Sequence, residues 1–119
     1  MTTNQLERCE LERMGVQIAM ELLGIKRRQR FKAPFDLVTK TNGYEVKNLS
    51  ADSKDNKIHV ADKSYLRKLN YATVKKIKPI LLAVVVSETK IRVCKSDLKQ
   101  SVRIHQMRTV KVIKVGGEL

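Results

Sequence analysis

Apolar residues recur along this chain with two different periods. Within residues 5–25, Leu11, Met14, Ile18, Leu22 and Ile25 return every three or four positions, the spacing of one helix face, and Gly24 marks an end. From Phe35 the pattern turns short and β-like. Phe35 to Thr39, Tyr44 to Asn48 and Ile58 to Val60 predict three strands forming one unit. Asn42-Gly43 lies between the first two and is a turn signal. Residues 50–57 are polar and read as a loop, and their Asp52 and Asp55 lack calcium-loop spacing. A second helix is expected from Asp62 to Lys78, stopped by Pro79, with Leu66, Leu69, Ala72 (or Thr73) and Ile77 as its apolar stripe. Ile80–Val86 has the length and β-branching of a buried strand, and Lys90–Cys94 and Thr109–Val115 follow as further strands. The order helix, three strands, helix, strand, strand specifies a mixed α/β fold.

At 119 residues the chain fits one domain, 1–119, with its core over about 10–87 and a C-terminal extension, 88–119, packing on or extending the sheet. No apolar run approaches the roughly 20 residues of a bilayer span, and the polar, acidic start does not resemble a secretory signal. The expectation is a soluble, cytoplasmic protein with no membrane association. Cys9 and Cys94 stand too far apart for a zinc-binding spacing and read as free, partly buried thiols.

Charge sharpens the picture. Residues 1–21 carry Glu7, Glu10, Glu12 and Glu21 against Arg8 and Arg13, a net −2, which leaves +15 on the rest of a chain whose total is +13. So positive a field favours a polyanionic partner, nucleic acid first among them. Lys26 to Lys32 concentrates Arg27, Arg28, Arg30 and Lys32 before the first strand. The second helix carries Lys63, Arg67, Lys68 and Lys75 outside its apolar stripe. These are the candidate phosphate contacts. With aromatic residues at 4%, a base-stacking platform for single strands has little support.

The chemistry-bearing segment is Pro34-Phe35-Asp36 followed by Glu45-Val46-Lys47. Strand side chains alternate between faces, so Glu45 and Lys47 point the same way. A tight hairpin centred on Asn42-Gly43 pairs residues whose numbers sum to 85, and a looser turn over Lys40 to Gly43 gives 83. Both sums are odd, so both put Asp36 on the face of Glu45 and Lys47. The tight turn leaves Asp36 roughly 13 Å from the position opposite Glu45, and the looser turn leaves about 7 Å. Convergence on one cation therefore predicts the looser turn, or a bulge. Two carboxylates supply hard oxygen donors for Mg²⁺ or Mn²⁺ with positions open for water and a phosphate. A neighbouring lysine assists the nucleophile or offsets charge on the phosphate.

Asp36, Glu45-Val46-Lys47 and the surrounding order of elements resemble the PD-(D/E)xK nuclease superfamily, which includes restriction enzymes, Holliday-junction resolvases and small phage nucleases. The resemblance spans roughly residues 10–87. It implies a restriction-endonuclease-like core of helix, three strands, helix and strand with a mixed central sheet. It also implies a Mg²⁺-dependent endonuclease hydrolysing DNA in preference to RNA. In that reading Asp36 and Glu45 hold the metal, Lys47 acts at the nucleophile or phosphate, and no small-molecule cofactor is needed. Phe35, rather than Pro34, adjoins Asp36, a variation the superfamily tolerates. Relatives place a further glutamate on the first helix, for which Glu12 is preferred over Glu21, Glu10 and Glu7. Lys63 would contact a phosphate near the cleaved bond. Homodimerisation, for which residues 101–115 offer a candidate surface, would add a second active site. The expected setting is the cytoplasm of a bacterial or phage-infected cell.

Two competing functions remain open on the sequence. A metal-independent ribonuclease of phage or toxin type would use His59 or His105, and a non-catalytic basic module would bind nucleic acid without cleaving it.

Overall fold

The computed structural model describes residues 3–26, 34–51 and 56–114; of residues 3–12, only the side chain of Glu10 is described. Arg27, Arg28, Arg30 and Lys32 lie outside the described residues. Helix α1 (Thr3–Leu23) closes at Gly24, whose φ of 71° is open to glycine at little steric cost. The N–H of Ile25 then returns to the carbonyl of Met20 at 2.9 Å. Next come β1 (Leu37–Val38), β2 (Asn42–Ser50), β3 (Lys57–His59) and α2 (Asp62–Lys75). The chain continues through β4 (Lys78–Val86), β5 (Lys90–Asp97), β6 (Ser101–Arg103), a 3₁₀ turn (Ile104–Gln106) and β7 (Arg108–Lys114).

The fold is an α/β domain whose five-stranded mixed sheet has the order β1-β2-β4-β5-β7. β2 and β4 run parallel over nine residue pairs, Asn42 opposite Lys78 through Ser50 opposite Val86, while the remaining neighbours are antiparallel. α2 makes the crossover that parallel neighbours require. The expected three-stranded unit does not form. β3 pairs with β6 in a separate two-stranded sheet, Ile58 opposite Val102, because β4 occupies the edge of β2 that β3 would have used. The strand expected at Ile80 begins at Lys78, and the one expected to stop at Cys94 runs on to Asp97.

β4 is buried on both faces, which accounts for its unbroken apolar sequence. Tyr44, Val46, Leu82 and Val84 pack with Ala19 and Met20 of α1 on one face. There Gly15 lets α1 approach Asn48 so closely that a Cβ would stand 1.8 Å from its Oδ1. Leu81, Ala83, Val85 and Cys94 pack on the other face with Ala72 of α2 and with Ile58, Val102 and Ile104 from the small sheet and the 3₁₀ turn. No helix among the described residues is long and apolar enough to cross a membrane.

α2 stops at Lys75, short of the expected Lys78. Lys76 takes a left-handed conformation (φ 58°, ψ 44°), and the N–H of Ile77 bonds the carbonyl of Ala72 at 3.0 Å. Pro79 disfavours helical backbone at the residue before it, and it sits second in β4, near the strand start where its missing N–H is tolerated.

The β1–β2 hairpin has the two-residue length of the tight turn considered from sequence but is centred two residues earlier. Leu37 faces Tyr44 and Val38 faces Gly43, a sum of 81, so the turn is Lys40-Thr41. The N–H of Thr39 donates to the carbonyl of Asn42 at 2.8 Å, and the Thr39 hydroxyl accepts the N–H of Asn42 at 3.0 Å. Lys78 pins the same corner through a 2.8 Å bond to the carbonyl of Thr41. Asn42-Gly43 is thereby drawn into the strand. Gly43 is required there for space, since a Cβ would lie 2.6 Å from the ring of Phe35. That ring meets Tyr71 edge-on at 6.0 Å.

Gly43→Ala should therefore destabilise the protein by about 1–3 kcal/mol, the range for overpacking a filled core, in urea unfolding. In a Phe35→Ala background the same change should cost far less. Equal costs in both backgrounds would show that the ring does not hold this corner.

Candidate active site

The sum of 81 carries Asp36 to the position opposite Glu45, closing the offset left by both turns weighed from sequence. The N–H of Val46 donates to Oδ2 of Asp36 at 2.8 Å, tying the aspartate to β2. Its carboxyl also hydrogen-bonds that of Glu45. The two acids and Lys47 thus share the α2 side of the sheet, as strand alternation requires.

Glu45 is only 8% exposed. Its pKa is pushed up from 4.5 to about 7, first by burial, then by the hydrogen bond to Asp36 and by the charge of Asp36, against the opposing pull of Lys68 and Lys47. The protonated Glu45 is accordingly the donor and Asp36 the acceptor of their shared hydrogen bond. Lys47 reaches Glu45 Oε2 at 3.8 Å, and its side chain, 39% exposed, faces solvent.

Lys68 belongs to this cluster. It was grouped from sequence with the phosphate contacts, yet it is 4% exposed and places Nζ 3.3 Å from Glu45 Oε2. Its ammonium also donates to Ser64 one turn earlier on α2. Leu69, Ala72 and Ile77 of the expected stripe face the core, joined there by Tyr65 and Lys68, while Leu66 is 58% exposed. A buried carboxylate makes a cation the better neighbour, so Lys68 displaces the leucine that hydrophobicity alone would choose. The spacing 65, 68, 69, 72 is helical and could have revealed this, had a lysine been admitted to the inner face.

The other candidates lie elsewhere. Lys63, Arg67 and Lys75 are exposed on α2, with Lys75 Nζ 6.0 Å from the centre of the Tyr71 ring. α1 packs on the opposite face of the sheet from the trio; Glu10 and Glu21 are exposed, and the side chains of Glu7 and Glu12 are not among those described. His59 and His105 are both exposed. His59 sits opposite Ser101 in the small sheet, and His105 lies in the 3₁₀ turn that follows β6. Cys94 is a buried free thiol, its Sγ 3.7 Å from Thr109 Oγ1.

The acidic donors at the site are two, and no group of three or more His, Cys, Asp or Glu that could hold a metal occurs among the described residues. Two carboxylates suit a magnesium-type ion that takes its other ligands from water and a substrate phosphate. Burial is the main reason the Glu45 pKa is raised, and the charge of Asp36 adds to it; that repulsion is what a divalent cation relieves, so the donor set fits such an ion. Comparison of the chain with protein families, with curated proteins and with solved structures found no match.

The folded state keeps Glu45 protonated to about pH 7, while the unfolded chain releases that proton near 4.5. Its contribution to stability is thus full below about pH 4.5 and lost as pH rises through about 7. Melting temperatures should fall from about pH 5 to about pH 8 more steeply in the native protein than in Glu45→Gln. Parallel profiles would show that Glu45 is not the group responsible.

Proposed function

We propose that the protein is a divalent-metal-dependent nuclease of the PD-(D/E)xK type, cleaving phosphodiester bonds of DNA. The observation that carries this reading is the meeting of Asp36, just before β1, with Glu45 of β2 through a hydrogen bond between their carboxyls, with Lys47 on the solvent side. A mixed sheet in which the strand bearing Glu45 and Lys47 leads through α2 to a parallel neighbour is consistent with a restriction-endonuclease-like core. The net charge of +13 supplies the field for a polyanion.

Asp36 and Glu45 are the residues to hold Mg²⁺ or Mn²⁺. Such an ion, when bound, polarises the phosphate and lowers the pKa of a coordinated water. Lys47, whose side chain is 39% exposed, meets the substrate and offsets negative charge on the phosphate. Lys68 is a positioning residue: anchored on Ser64, it holds the Glu45 carboxylate toward Asp36 from the buried side. Lys63, Arg67 and Lys75 grip the flanking backbone, in a contact weakened by salt as counterions are released.

Labelled duplex, branched and single-stranded substrates incubated with Mg²⁺, Mn²⁺ or EDTA test this directly. Cleavage should require the metal, and Lys47→Ala should lower its rate by about 10²–10³ while leaving duplex binding and melting temperature near their native values. Cleavage that persists in EDTA would return the ribonuclease alternative. Binding without cleavage in any metal would make the protein a non-catalytic module.

A further inference from the structure

The face that carries Glu45 and Lys47 does not end at the trio. β2 continues on that side through Leu49, and Ala51, just past its end, borders a cavity of about 400 Å³. Ala51 lies four residues beyond Lys47, roughly 13 Å at the rise of a strand. Val85 on β4 stands next to Leu49 and opposite Arg92 on β5, so one row of side chains leads across the sheet into the cavity. Val85, Ile104 and Met107, all buried, form its apolar wall. Half-buried Arg92 and exposed His105, with Asn56 and Thr109, supply its polar groups, and no carboxylate lines it among the described residues.

This combination selects a type of ligand. A cavity of that volume lies within the range that encloses small organic groups. Its cationic side calls for an anion, and its apolar wall for a flat, weakly polar body attached to that anion. An arginine suits both parts, since its planar guanidinium binds phosphate through paired hydrogen bonds and also stacks on bases. A nucleotide has this chemistry. The separation of roughly 13 Å from Lys47 corresponds to about four nucleotides of one duplex strand at 3.4 Å each, and to fewer along an extended strand.

We propose that this cavity is a nucleotide subsite, receiving one unit of the bound strand a few positions from the trio, with Arg92 and His105 on its phosphate and Val85, Ile104 and Met107 beside its base. The inference rests on the nucleic-acid part of the proposed function and not on cleavage. The site lengthens the footprint of a small domain on the same face as the trio.

Fluorescence anisotropy of the full chain with a length series of labelled single-stranded and duplex oligonucleotides, in EDTA so that none is cut, reads the subsite apart from catalysis. Affinity should rise sharply once a strand is long enough to reach from Lys47 to the cavity. Arg92→Gln should remove that rise, weaken long strands about tenfold and reduce the slope of log affinity against log salt by about 1, while leaving short strands unchanged. Ala51→Phe, which narrows the mouth from an exposed position, should do the same without altering charge. His105→Gln should show a smaller loss of the same length dependence. Native affinity for long strands in both Arg92→Gln and Ala51→Phe would overturn the proposal, as would a free mononucleotide binding as tightly as the long strand. Loss of the length step in these variants from a protein that cleaves nothing in Mg²⁺ would uphold the subsite and refute the nuclease.

Discussion

A buried carboxylate sets the terms for the rest of this structure. Glu45 sits in the middle of β2, beneath α2, where an isolated charge would be prohibitively costly. Three partners make the position tenable: the proton shared with Asp36, the ammonium of Lys68 and the more distant ammonium of Lys47. Each partner comes from a different element or turn, so the cluster ties β1, β2 and α2 to one arrangement. A slip of one residue in the hairpin would send Asp36 to the α1 face, and a rotation of α2 would exchange Lys68 for an apolar side chain.

Such a cluster is a weak source of stability. Apolar packing holds the domain together through β4, covered on both faces, while the charged cluster decides which register and which helix face that packing uses. The Phe35 ring on Gly43 and the Thr39 hydroxyl at the turn serve the same end, placing Asp36 against Val46 and Glu45. The site is desolvated on its α2 side by Lys68 and open on the side of Lys47. This asymmetry is what the proposed nuclease role asks of Lys47.

The large positive charge has several destinations. One lysine is spent inside the fold on Glu45, others stand exposed on α2, and Arg92 enters a cavity further along the same sheet face. The acidic helix α1 covers the opposite face. A polyanion approaching the α2 side therefore meets the trio, the basic helix surface and the cavity in one direction.

Much of this was legible in the residues. The two helices, the apolar β4 and the common face of Asp36, Glu45 and Lys47 all follow from periodicities of 3.6 and 2, which depend only on local backbone geometry. The register did not follow, because Asn42-Gly43 has the composition of a turn and is pulled into β2 by partners distant in sequence, Phe35 above it and Lys78 beside it. The fate of β3 was hidden for the same reason: three residues pair with whichever edge is free, and β4 had taken the nearer one. Lys68 reads as a surface cation until the burial of Glu45 is known. Faces are a property of the chain itself, whereas register, strand partners and the inward turn of a charged side chain are settled only when distant segments compete for the same hydrogen bonds and the same buried charge.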